Sequence, residues 1–390
     1  MRRRKIPNPT LAQKSETAII GGMDERPSVA YIDLGNLIHN FKEIKKRVRN
    51  SEVLCVVKAN AYGHGMIEVA KALSKAGARW FGVATAGEAE SLLKNKIKGK
   101  ILILNGVFPG EEGFIIEHNL RGVLFDREGV ERMNEAGKRM GKRALVHIKI
   151  DTGMGRLGFL SEDFKDIMEK IKNYKFIKVE GVMSHFAHAD LKDMEFIKYQ
   201  LNLFKRCIRI TGFNGLKHIA NSAGTILLPS SHLDMVRCGI AIYGVYPSDD
   251  CKSKISLKPV LSLKTKIHSI KNLPEGYGIG YGHTYVLKRK SRIAIIPLGY
   301  GDGLLRANSN RGYVLVKGKL CPIIGTVCMD LTAIDVTDVP EAKVGDEVVI
   351  IGEENGRVIS AKDLAIYSST IPYEVLCLLT KRLKRIYKGG

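Results

Sequence analysis

Between residue 53 and about residue 245, short apolar runs alternate with amphipathic stretches. The runs are VLCVV (53–57), WFGVA (80–84), ILIL (101–104), GVLF (122–125), LVHIKI (145–150), VEGVMS (179–184), LKHIAN (216–221) and DMVRCG (234–239). Rich in β-branched residues and too short for helices, they predict buried parallel strands. Between them, segments such as MIEVAKALSKAG (66–77) and EDFKDIMEKIKNY (162–174) carry apolar residues three and four positions apart, the period of a helix with one buried face. Eight strands, each followed by a helix, is the count of a (β/α)8 barrel. After about residue 250 the texture changes. KPVLSLKTKIHSIKNL, SRIAIIPLGY, GYVLVKGKLCPIIGTV, TAIDVTDV and GDEVVIIG read as strands separated by Gly, Pro and Asp turns, and helix-like stretches are scarce until the C-terminus. The predicted fold class is α/β, an N-terminal (β/α)8 TIM-like barrel over 28–250 followed by a C-terminal mostly-β domain over 251–390. Residues 1–27 form an extension expected to be flexible. The strand SVAYIDL (28–34) fits either domain.

Composition narrows the class. Hydrophobic residues at 45% and charged residues at 26% are ordinary globular values, which sets aside disordered and fibrous classes. The excess of 62 Lys+Arg over 40 Asp+Glu, a net +22, raises nucleic acid, anionic membrane or an anionic ligand as partners. The basic residues are spread along the chain, with clusters only at Arg2–Lys5 and Lys381–Lys388, so the charge reads as a solvated surface and neither nucleic acid nor membrane is expected. Seven cysteines without a CxxC pair argue against a disulfide framework or a zinc site, and no metal is expected. The basic N-terminus lacks the apolar run of a signal peptide, and no stretch reaches the length of a membrane span. A soluble cytoplasmic protein is the expectation.

In a barrel, functional side chains gather at the C-terminal ends of the strands. Those ends supply Lys58; Asp151 with Arg156 in the following turn; Ser184, His185 and His188; His218, Asn221 and Ser222; and Arg237 with Gly239. Cations, hydroxyls and glycines in this proportion suit an anionic, phosphate-bearing ligand. Lys58 directly follows an apolar strand, where desolvation lowers an amine's pKa and makes it able to form Schiff bases, unless its stem simply reaches out to solvent. DTGMGRLG (151–158) contains GxGxxG after a strand, with Glu180 at about the spacing of the acidic residue in a dinucleotide site. Four strands precede it and Arg156 occupies the turn, so the dinucleotide reading takes second place. SHFAHAD (184–190) looks like a metal cluster, but His185 and His188 are too close to face one way on a strand, and hydrogen bonding that supports another site residue, or packing, suits His185 better. GYGIGYGHTY (276–285) is either an ordinary hairpin or a tip that presents a tyrosine to a site outside its own domain.

Taken together these residues resemble the alanine racemases. The stretch Val57–Lys58 with AlaAsnAlaTyr62GlyHisGly is similar to that family's cofactor-lysine signature. HIKIDTGMGRLG (147–158), SHFAHAD (184–190), ANSAGT (220–225), VRCGIAIYG (236–244), GIGYGHTY (278–285), IPLGYGDG (296–303), GTVCMD (325–330) and STIPYEV (369–375) continue the resemblance in order from about Val29 to near the C-terminus. The resemblance implies pyridoxal 5′-phosphate (PLP) held as a Schiff base on Lys58. It implies a phosphate pocket of Tyr62, Ser222, Gly239, Ile240 and Tyr373, and Arg237 facing the pyridine nitrogen with His185 in support. It assigns the substrate carboxylate to Arg156 and the backbone of Met329, places Tyr300 at the entrance, and matches Lys149 to a position carbamylated in some relatives. Lys58 and Tyr281 would exchange protons on opposite faces of the PLP–alanine Schiff base, interconverting L- and D-alanine and supplying D-alanine for peptidoglycan. Lys58 lies in the barrel and Tyr281 in the β domain, so the family's homodimer with shared active sites is implied. Racemisation of serine or of several amino acids, or a non-catalytic PLP-binding protein, are the alternatives. The second lacks a β domain in proteins of that kind, and Tyr281 and Cys328–Asp330 argue against it. The stretch before Met23 resembles no part of the family's motifs.

Overall fold

The computed structural model describes residues 26–190 and 194–390. Apart from Arg26 and Pro27, the expected N-terminal extension lies outside the described residues.

Eight strands run parallel around a barrel in the order Met235–Cys238, Glu52–Val56, Trp80–Val83, Lys100–Ile103, Arg121–Leu124, Ala144–Asp151, Ile177–Met183 and Leu216–His218. Each overlaps one of the apolar runs. The seam between the last strand and the first is closed by the Arg237 N–H donating to Ala220 O at 2.9 Å and the Asp234 N–H to Lys217 O at 3.1 Å. Most residues of these strands are buried, because one face fills the barrel and the other meets the surrounding helices. Three of those helices begin on side-chain caps: Asp126 accepts from the Gly129 N–H, Thr85 from Glu88 and Asn221 from Gly224. Gly141 and Gly212 end two of them with φ of 61° and 62°, the left-handed stop that glycine takes without strain.

A second sheet carries strands Lys319–Pro322, Tyr313–Val316, Glu347–Glu354, Leu261–Lys266, Val29–Asp33 and Lys384–Lys388 in that order. Val29–Asp33 pairs antiparallel with Leu261–Lys266 and parallel with Lys384–Lys388, so the early strand belongs here and not to the barrel. A smaller antiparallel sheet of Ser269–Leu273, Ser291–Ile296 and Thr332–Asp335 adjoins it. Strands Gly278–Ile279 and Tyr285–Val286 form a short hairpin whose tip is Tyr281–His283. Gly280 and Gly282 sit at φ 67° and 69°, turning the chain so that Tyr281 stands 70% exposed. No described helix is long and apolar enough to cross a membrane.

Candidate active site

Lys58 begins a local structure that residue propensities do not announce. The four residues after it, Ala59, Asn60, Ala61 and Tyr62, all have φ between 51° and 55°, a left-handed turn in non-glycine residues. Such a turn costs about 1–2 kcal/mol per residue, so its neighbours must hold it. The Glu88 carboxylate accepts the Ala59 N–H and the Ala84 N–H, each at 2.7 Å. Asn60 Oδ1 accepts the Met66 N–H at 3.0 Å, and His64 Nδ1 donates to Ala61 O and Tyr62 O. Arg385 Nε donates to Gly63 O at 2.7 Å. Gly63 could be nothing else, since its φ is 80° and a Cβ there would meet Leu376 O at 2.0 Å.

Lys58, Lys149, Arg156, His185 and Arg237 come together at the barrel mouth, close enough for the Arg156 and Arg237 charges to shift the titration of their neighbours. Burial lowers the Lys58 pKa, and the Arg156 charge lowers it further. Lys149 is brought down to about 8 by burial, then by Arg156 and Arg237. Burial lowers Arg237 to about 9, which leaves the guanidinium charged at neutral pH. His185 is held neutral by burial and by the Arg237 charge. None of the four cations is in an ion pair among the described residues. Asp151 does not neutralise them: its carboxylate accepts the N–H groups of Gly153, Met154 and Arg156. That geometry also disposes of the dinucleotide reading. The N–H groups of the GxGxxG turn are filled by Asp151, a short strand Phe159–Leu160 follows, and the next helix starts only at Phe164. His188 stacks on Phe196 at 5.2 Å, apart from these groups' hydrogen bonds.

Beside this cluster lies an oxyanion cradle. Ser222 Oγ accepts the N–H groups of Gly239 at 3.1 Å and Ala241 at 3.3 Å, so its own proton is left to donate outward. The Gly239 N–H is thus engaged inward, and what Gly239 contributes is the absence of a side chain: a Cβ would lie 2.5 Å from Tyr62 Oη. The Ile240 N–H makes no hydrogen bond among the described residues. Tyr62 and Tyr373 approach with ring centroids 6.0 Å apart, and burial raises both phenol pKa values, keeping both as donors. Hydroxyls and an amide facing inward beside four unpaired cations fit the phosphate and aldehyde of PLP, with Lys58 as the amine. Arg237 donates from Nη2 to His185 Nδ1 at 2.9 Å, to Ser184 O at 2.6 Å and to Ile219 O at 3.1 Å, which fixes the plane of its guanidinium.

Tyr281, Met329 and Tyr300 are not drawn into this cluster within the chain. They stand 70%, 53% and 42% exposed on the β domain. Tyr281 is tied by its carbonyl, which accepts from Thr326 Oγ1 at 3.1 Å. The loops of Tyr300 and Met329 are bonded to each other through the Tyr300 N–H to Cys328 O and the Gly301 N–H to Met329 O. Asp302, with its side chain fully buried, clamps this pair by ion pairs to Arg26 at 2.6 Å and Arg382 at 3.4 Å. Sequence reasoning missed Glu88. The one available signal was Thr85-x-x-Glu88, a capping-box pattern that places an acid beside the strand ends. The box forms only halfway, because the carboxylate turns to Ala84 and Ala59.

A lysine of lowered basicity among unpaired cations at the mouth of a barrel defines an enzyme site built for an anionic, amine-reactive ligand. Residues 32–247 match the family described as alanine racemase, N-terminal domain, and residues 260–387 match alanine racemase, C-terminal domain. The chain is 45% identical over 372 residues to alanine racemase 2 of Caldanaerobacter subterraneus subsp. tengcongensis, covering 93% of this chain and 95% of that protein. Its fold is similar to the crystal structure of alanine racemase from D-cycloserine-producing Streptomyces lavendulae, with TM-score 0.89 and 34% identity over 94% of this chain and 98% of that one. It is similar also to alanine racemase from Bartonella henselae with covalently bound pyridoxal phosphate, with TM-score 0.87 and 31% identity over 93% and 100%. The chain belongs to the alanine racemase family, a family of isomerases.

Proposed function

We propose that this chain interconverts L- and D-alanine with PLP carried on Lys58, in a two-fold homodimer whose sites each draw on both chains, and that in the cytoplasm it supplies D-alanine for peptidoglycan. The observation that carries the reading is the group of four unpaired cations around an amine of lowered pKa, next to a cradle of inward-facing donors. The family of the chain and the covalently bound cofactor of the Bartonella henselae relative support it. When bound, PLP supplies an electron sink that acidifies the α-carbon of an amino acid joined to it. Tyr62, Tyr373, the Ser222 hydroxyl and the Ile240 N–H hold the phosphate. Arg237 donates a hydrogen bond toward the ring nitrogen and, as a guanidinium, gives up no proton to it. Arg156, with the backbone of Met329 from the second chain, orients the substrate carboxylate. Lys58 Nζ, its basicity lowered by burial and by the Arg156 charge, takes or returns a proton on one face of the α-carbon. The partner subunit's Tyr281 Oη serves the other face as the second acid–base group. Lys149, with a pKa of about 8, has enough free amine to be carbamylated, and the negative charge so gained would offset Arg156.

The test is borohydride reduction of the PLP-loaded protein, with the expected mass increase on the peptide containing Lys58. Mixing Lys58→Ala and Tyr281→Ala variants should then restore alanine racemisation, because hybrid dimers contain one intact site. No recovery after proven subunit exchange overturns the shared site.

A further inference from the structure

A buried chain of polar groups leaves the candidate site on the side away from the cofactor cradle. Arg237 Nη1 lies 3.0 Å from His218 Nδ1. An arginine has no acceptor to offer, so His218 Nδ1 presents its lone pair and the proton of the neutral ring sits on Nε2. That Nε2 lies 2.8 Å from His147 Nδ1, which must therefore accept, and the proton of His147 is driven to its own Nε2. Both imidazoles are fully buried, and burial holds both neutral, with the Arg237 charge acting in the same direction. Gly181 leaves the space for this arrangement, since a Cβ there would stand 2.6 Å from His147 Nδ1. The chain thus runs one way, with every N–H pointing away from Arg237.

It ends at a carboxylate. His147 Nε2 has no hydrogen-bond partner among the described residues, but Glu180 Oε2 stands 3.9 Å from it, at ion-pair distance. Burial would raise the Glu180 pKa. The His147 ring and the Arg121 guanidinium outweigh that and hold the carboxyl well below its usual range. Arg121 Nε donates to Glu180 at 2.7 Å and Lys100 lies 3.4 Å away, while both cations also flank the Trp80 ring, which meets His147 edge-on at 5.8 Å. An apolar pair would fill the same space without the desolvation cost of two imidazoles.

We propose that Glu180 is a positioning residue for Arg237, acting through His147 and His218: its charge draws the two ring protons toward itself and so strengthens the lone pair that His218 turns to the guanidinium. A donor whose own N–H faces an anion accepts better at its other nitrogen, and outer partners of this kind commonly set the affinity of the group they support. The inference rests on the reading of Arg237 as the partner of the cofactor's ring nitrogen, but its first test does not. Cofactor-free protein with 15N-labelled histidine should show His147 and His218 as Nε2–H tautomers at neutral pH. Either ring protonated at Nδ1 overturns the proposal.

The second test is Glu180→Gln, with Trp80 emission, from the chain's one tryptophan, reporting that the base of the barrel is intact. The PLP dissociation constant should rise about tenfold, and the His147 Nε2–H signal should shift as the charge facing it is lost, while Arg237 keeps both rings as Nε2–H tautomers. Unchanged PLP binding with an unchanged His147 Nε2–H signal refutes the idea. If Glu180→Gln does not fold, Glu180→Asp, which keeps the charge at greater distance, should bind PLP with an intermediate loss, and no loss there refutes it equally. A wild-type protein that binds no PLP overturns the proposed function instead, while the tautomer result still decides this inference.

Discussion

Replacing Glu88 by alanine tests whether the reactive lysine depends on a turn that is held under strain. Four consecutive left-handed residues, at about 1–2 kcal/mol each, store about 4–8 kcal/mol beside Lys58. Glu88 opposes that strain by accepting two backbone N–H groups with an ionised carboxylate, and bonds of that kind contribute about 1.5–3 kcal/mol each. The Ala59 N–H is on an exposed residue and water can replace the lost acceptor, so the lower figure applies, giving a loss of about 3 kcal/mol for Glu88→Ala. Glu88→Gln keeps one acceptor but turns a donor toward the other N–H, and should lose about half as much or slightly more. Urea unfolding of the cofactor-free protein reads the stability, and the rate at which added PLP becomes fixed to Lys58 under borohydride reads the turn. Glu88 also raises the Lys58 pKa, so its removal enlarges the fraction of free amine. A slower reaction with PLP despite more free amine would show that placement of Nζ, not its basicity, is what Glu88 provides. A Glu88→Ala protein within about 0.5 kcal/mol of wild type and reacting at the wild-type rate would refute the reasoning.

Two further outcomes follow from the same geometry. His64, His147 and His218 are buried and His185 is partly buried, and all four have pKa values lowered first by burial, His64 to about 4. Above an unfolded pKa of about 6.5 these rings are neutral in both states. Below it the unfolded chain binds protons that the native state refuses, so stability present at pH 7 is lost as pH falls toward the folded values, with His64 alone worth about 3 kcal/mol at full extent. Urea midpoints of the cofactor-free protein between pH 7 and pH 5 should decline accordingly, and a flat profile would contradict the assigned burial. In Gly239→Ala the new methyl would stand 2.5 Å from Tyr62 Oη, and Tyr62 is wedged between Tyr243 and Tyr373, so it has little room to retreat. Overpacking of about 1–3 kcal/mol should raise the PLP dissociation constant about tenfold by fluorescence titration, and unchanged affinity would remove Gly239 from the cradle.

The barrel was legible because most residues of its strands are buried and read as short apolar runs spaced by amphipathic stretches of helix length. The strand Val29–Asp33 was not placeable by the same means. Its pattern suits either sheet, and the choice is made by partners at Leu261–Lys266 and Lys384–Lys388, more than two hundred residues away. Lys58, Arg156 and Arg237 stood out because a charge at the end of a buried strand is costly wherever it is idle. His147 did not, since a histidine between Val146 and Ile148 looks like core, and only the facing His218 and Glu180 give it a direction. The left-handed turn after Lys58 was beyond sequence reasoning: of its two alanines, asparagine and tyrosine only the asparagine takes that conformation readily, and then as a single residue. It exists because the adjoining His64 holds it locally and Glu88 and Arg385 reach it from two other segments.

Those contacts also explain why the site stays positively charged. The acids nearest to it are Asp151 and Glu88, and both are engaged by backbone N–H groups rather than by the cations beside them. Asp151 folds the turn that carries Arg156, and Glu88 holds the turn that follows Lys58. Glu180, the carboxylate that faces the end of the hydrogen-bonded chain, is engaged by Arg121 and Lys100 at the far side of two imidazoles. An acid that shapes a loop through its N–H groups gives the loop its geometry while leaving the side-chain cations unpaired. The field of Lys58, Lys149, Arg156 and Arg237 is therefore a consequence of how the loops are built, and it depresses the Lys58 pKa in the same arrangement that leaves room for an anionic ligand.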